Sequence, residues 1–200
     1  SLRASYLPRW KVLYVLFLRS PTQVGLEAIT VHSISSHLIP DILVQHFLDD
    51  TNYHYYCLYP PTFSDDYSRW WADRASGKTI TPEFTCLLLR VCACSTQFLD
   101  LKTRQKLELE LGEKTQSLTE RYHRAAQRLS NIISHGKGGL TQVQQLFLTA
   151  YWFKTEALFI DSWHILAAAI HEAQELGIVM ILPASRTTFL YEFKADNLET

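Results

Sequence analysis

Several groups of residues have types and spacings that invite chemistry. Ala72-Asp73-Arg74-Ala75-Ser76-Gly77-Lys78-Thr79 ends like a phosphate-binding loop. Such a loop opens on glycine, and here that place is Ala72. It also needs a core strand before it and a helix directly after it, whose free amides hold the phosphates. Ser68-Arg69-Trp70-Trp71 does not make a core strand, and Thr81 and Pro82 start the next helix too late. The stretch reads as a solvated loop. Asp161-Ser162-Trp163-His164 gathers the residue types of a serine hydrolase. Neighbours at a helix start cannot face one another as nucleophile, base and orienter. No strand–turn–helix elbow surrounds Ser162. A helix cap followed by a core tryptophan explains the run. His171 with Glu175, and His46 with Asp50, are four apart and can meet on one helix face. Two ligands without a third are not a metal site, so surface pairing is the reading. Cys92 and Cys94 lie on different faces of a helix and pack in the core. No catalytic, cofactor-binding or metal residue is assigned, and an enzyme is not expected.

The elements that position these groups are helical. Residues 140–177 organise the chain as an antiparallel helix pair with a short connection at 156–160. Val143, Leu146, Phe147, Ala150 and Tyr151 form one apolar face of its first helix, and Trp163, Leu166, Ala167, Ile170 and Ala173 one of its second. His164, His171, Glu172 and Glu175 take the opposite face. Thr141 or Asp161 can cap these helices, and Gly177 can end the second in a left-handed conformation.

Upstream, Pro40 opens a helix with Leu43, Phe47 and Leu48 inside, ending near Thr51 and Asn52. Residues 53–71 are dense in aromatics, and Pro60 and Pro61 force an extended turn there. Ser64 or Asp65 then caps a short helix carrying Tyr67, Trp70 and Trp71. This stretch reads as an aromatic plug on a helical core, with a ligand or peptide groove as the sharper alternative. Thr81 caps a helix with Pro82 in its first turn. Phe84, Leu87, Leu88, Val91, Cys94, Ser95 and Phe98 lie on its inner face, and its all-round hydrophobicity makes it central. A charged helix spans 101–111 and stops at Gly112. Ser117 and Glu120 form a capping box. It opens a helix with Tyr122, Ala125, Ala126, Leu129, Ile132 and Ile133 inside, and Arg121, Arg124 and Arg128 outside. Residues 135–139 are a flexible stop.

The totals fit one core: 200 residues, 47% hydrophobic and 20% charged. A net charge of −1 gives no global attraction to nucleic acid or anionic membrane. Cys57, Cys86, Cys92 and Cys94 suit buried reduced thiols of an intracellular protein better than a disulfide framework. Residues 12–18 are apolar behind basic residues, as in a secretory signal. The run is short, however, and closes on Arg19, so a buried or poorly ordered helical turn is preferred. The class is all-α: an irregular multi-helix domain with a helical hairpin at about 141–177.

Three stretches together resemble the fungal-specific transcription factor domain, the middle homology region of zinc binuclear-cluster regulators. The first runs Pro40-Asp41-Ile42-Leu43-Val44-Gln45-His46-Phe47 into Asn52, then Tyr59-Pro60-Pro61-Thr62-Phe63 and Trp70-Trp71. The second is Tyr122-His123-Arg124-Ala125-Ala126-Gln127-Arg128-Leu129. The third is the hairpin: residues 143–151, then Trp163, Leu166, Ala169, Ile170, Ala173, Gln174, Leu176 and Gly177. Beyond Ile178 the family pattern is not followed. Nothing here matches the family's six-cysteine zinc module.

The resemblance implies a lead-in at 1–38, a partial regulatory domain at 39–178 and an irregular tail at 179–200. A truncated gene model would explain the odd ends. It also implies a nuclear protein whose zinc and DNA contacts belong to a module outside these residues. Protein or intramolecular partners and a small-molecule effector near residues 53–71 are expected, with no membrane and no cofactor in this chain. A stand-alone helical interaction module, or a degenerate relative without DNA binding, is the alternative.

Overall fold

The computed structural model describes residues 37–133 and 137–178. The readings of 1–36, of 134–136 and of 179–200 lie outside them. Among the described residues there are seven α-helices and no strand, so the fold is all-α. They are α1 (Leu38–His46), α2 (Pro60–Ala75), α3 (Pro82–Gln97), α4 (Leu101–Leu111), α5 (Thr115–Ser130), α6 (Gly139–Thr155) and α7 (Phe159–Glu175). A π-turn, Phe47–Thr51, and a 3-10 turn, Asn52–His54, extend α1.

Helix α3 is the axis. Every residue from 85 to 96 is buried, Arg90 included. A helix apolar on all sides needs neighbours on all sides. Here α5 packs along one side, α6 along another and α1 along a third. Helix α7 packs on α6 and forms the outer layer. The hairpin expected at about 141–177 is therefore present. Gly177, at φ 69°, ends it with Ile178 N donating to Ala173 O at 3.0 Å and Gly177 N to Gln174 O at 2.9 Å.

The buried faces differ from those expected. On α6 the fully buried set is Gln142, Gln145, Leu148, Thr149, Ala150 and Trp152, while Val143, Leu146, Phe147 and Tyr151 are half-buried. On α7 it is Ser162, Leu166, Ala169, Glu172 and Ala173. Trp163 is 49% exposed, not a core residue. The cause is layering: α6 lies between α3 and α7, so its polar stripe is inside as well. There Gln145 Nε2 donates to Ser130 Oγ at 3.3 Å and Ser162 Oγ of α7 donates to Ala150 O at 2.8 Å, whereas Gln142 Oε1 has no hydrogen-bond partner. Phe98 and Ile132, expected inside, are 42% and 40% exposed.

The helix starts also need correction. Pro60 and Pro61 do not make an extended turn; they occupy the first turn of α2, where a missing N–H costs nothing. Helix α2 then runs to Ala75, so Ser64 and Asp65 are interior residues and the polar loop is shorter than expected. Ser117 and Glu120 do not cap α5, which already starts at Thr115. Instead Glu108 of α4 takes Thr115 N at 2.9 Å and Thr115 Oγ1 at 3.0 Å. Those bonds, backbone first, hold the Glu108 carboxyl below its usual range. Thr81 is the residue before α3, yet its side chain makes no capping bond, and neither Thr141 nor Asp161 caps its helix.

Candidate functional site

The aromatic stretch 53–71 divides in two. Phe63 and Trp70, on one face of α2, are buried against α3: Phe63 lies 5.5 Å from Phe84, and Trp70 Nε1 donates to Thr85 Oγ1 at 2.9 Å. Tyr53, Tyr56 and Tyr59 are about 70% exposed. Asn52 closes the loop between the halves. Its Nδ2 donates to Leu58 O at 2.8 Å and its Oδ1 accepts Leu58 N at 3.1 Å. Within the loop, Tyr55 packs edge-on against Phe147 and Tyr151 of α6 at 5.5 and 5.4 Å. The stretch is thus partly a plug, as expected, and partly a tyrosine-rich surface.

Beside Trp70 is a cavity of about 430 Å³, between α2, the approach to α3 and the start of α6. Trp70, Ile80 and Phe84 form its apolar part. Asp66, Arg69, Asp73, Glu83 and Lys137 supply charge, and Thr79, Thr81 and Thr141 supply hydroxyls. Asp73 and Thr79 come from the stretch that ends like a phosphate loop. That stretch has no strand before it: residues 72–75 are the last turn of α2, and Lys78 Nζ is held by Asp73 at 3.1 Å.

The remaining sequence candidates stay apart. Ser162 is fully buried and bonded to a backbone carbonyl, while His164 is exposed. His46 Nε2 lies 3.7 Å from Asp50, and its Nδ1 shares a hydrogen bond of 3.1 Å with Ser95 Oγ. Among the described residues, no three His, Cys, Asp or Glu side chains gather to hold a metal. The cysteines are free thiols, with Cys86, Cys92 and Cys94 buried.

The sequence reading missed a buried polar group between α3, α5 and α6. Arg90, 1% exposed, donates Nη1 to His123 Nδ1 at 2.8 Å and Nη2 to Gln127 Oε1 at 3.0 Å. His123 stacks on Trp152 at 3.7 Å. Trp152 Nε1 donates to Thr119 Oγ1 at 2.8 Å, and Thr119 donates to Ala93 O at 2.7 Å. Burial, then the Arg90 charge, holds the His123 pKa down at about 3, so the ring is neutral and accepts from Arg90. An arginine within a run of core residues was the available signal.

The chain has relatives of known type. It is 31% identical over 142 residues to the probable transcription factor sol4 of Alternaria solani, covering 70% of this chain and 25% of that protein. It is 26% identical over 142 residues to transcription factor xilB of Penicillium rubens, covering 70% of this chain and 21% of that protein. It therefore spans a quarter or less of the length of these curated relatives. No protein-family profile matches it, and no solved structure does. Among the described residues, no single helix is long and apolar enough to cross a membrane.

Proposed function

We propose that residues 39–178 belong to the regulatory, non-DNA-reading part of a fungal zinc-cluster transcription factor that acts in the nucleus. The similarity over 142 residues to two proteins named as transcription factors carries this reading. The all-α architecture around α3 suits a domain that restrains or transmits activity through packed helices. The net charge of −1 supplies no basic stripe for phosphates, so DNA contact is assigned to a zinc module elsewhere in the complete protein. The chain performs no catalysis and carries no cofactor in this reading, and its partners are proteins or other segments of the regulator.

The test is to remove codons 39–178 in frame from the complete gene. Promoter occupancy, transcripts and the location of a tagged product are then followed. The expected result is a nuclear product that still occupies promoters but drives a changed set of transcripts. Unchanged transcripts with a cytosolic product would instead favour a stand-alone helical interaction module.

A further inference from the structure

We propose that the cavity beside Trp70 binds a small zwitterion with an apolar body, of the chemical class of a free amino acid with an apolar side chain. The inference goes beyond the transcriptional reading and does not depend on it.

Its volume, about 430 Å³, lies within the range of small-molecule pockets. The apolar part is rigid: Trp70 and Ile80 are 4% and 6% exposed. The Trp70 N–H is already used on Thr85, so the indole presents carbon and not a donor.

The charges decide the ligand. Arg69 is held by Asp66 at 2.9 Å and Asp73 by Lys78 at 3.1 Å. Among the described residues, no ion pair holds Glu83 or Lys137, and these come from different elements lining one cavity. Glu83 suits an ammonium. Lys137 suits a carboxylate, and it stands next to the start of α6, where no side chain caps the free amides. A nucleotide is disfavoured, since the carboxylates of Asp66, Asp73 and Glu83 outnumber the cations Arg69 and Lys137.

The test titrates the full chain with L-phenylalanine and L-leucine, by calorimetry and tryptophan fluorescence. Phenethylamine, 3-phenylpropionate and inorganic phosphate serve as comparison probes. At least one amino acid is expected to bind saturably and more tightly than either one-ended probe or phosphate. Glu83→Gln should weaken the amino acid and phenethylamine about tenfold and spare 3-phenylpropionate, and Lys137→Gln should weaken the amino acid and 3-phenylpropionate about tenfold and spare phenethylamine. Circular dichroism of both variants checks the fold. The proposal is overturned if neither amino acid binds, if phosphate or a one-ended probe binds as well, or if binding ignores both substitutions.

Discussion

At the scale of single residues, His123 carries the clearest consequence. It is 8% exposed, stacked on Trp152 and fed a hydrogen bond by a buried arginine. Its folded pKa of about 3 lies below the ordinary histidine value of about 6.5. As pH falls below about 6.5 the unfolded chain takes the proton first, so this histidine's contribution to stability shrinks until about pH 3. The slope reaches about 1.4 kcal/mol per pH unit within that window. Urea unfolding should therefore lose stability from pH 7 to pH 5. His123→Asn keeps an acceptor for Arg90 without a titrating ring, and its curve should be flatter over the same interval. Parallel slopes would show that His123 does not report the effect.

At the scale of elements, the α6–α7 turn stores strain. Ala157 sits at φ 58°, the left-handed region where a Cβ crowds the backbone. It is held there because Ala157 N donates to Lys154 O at 3.1 Å and Leu158 N to Phe153 O at 2.9 Å, the closure seen again at Gly177. Nature's usual residue at that place is glycine. Ala157→Gly should raise stability by about 1 kcal/mol, read as a higher urea midpoint at unchanged slope. Gly177→Ala should lower it by a similar amount. A loss with Ala157→Gly would mean that the turn is not strained in solution.

At the scale of the whole molecule, α3 places its thiols out of reach. Burial pushes the Cys57 thiol up to about 12 and the Cys86 thiol up to about 11, with Arg90 partly opposing at Cys86. Burial raises Cys92 and Cys94 further. A thiolate is the reactive form, so the native chain should be nearly inert to a thiol-specific disulfide reagent at pH 8. Only half-buried Cys57 should react on the timescale of minutes. Guanidinium should release all four thiols of the chain together. Fast reaction of Cys86, Cys92 or Cys94 in the folded state would contradict the packing around α3.

The sequence by itself determined the all-α class, the central place of the helix after Thr81, the hairpin and its terminating Gly177. Each of these is a local matter: an uninterrupted apolar run, a 3.6-residue period, or a glycine where only a left-handed residue closes the helix. It also determined that Ser162 and His164 would not act together, because neighbours on a helix point apart. Only the tertiary structure decided which stripe of α6 and α7 is buried. Periodicity marks an apolar face, but it cannot say that, among the described residues, α6 has neighbours on several sides and α7 leans chiefly on α6. For the same reason Trp163 is exposed, and Gln142, Gln145 and Glu172 are inside. The cavity was half legible. Trp70 and the 72–79 stretch drew attention, whereas Glu83, Lys137 and Gly138 meet them only because α3 and α6 start at the same end of the fold.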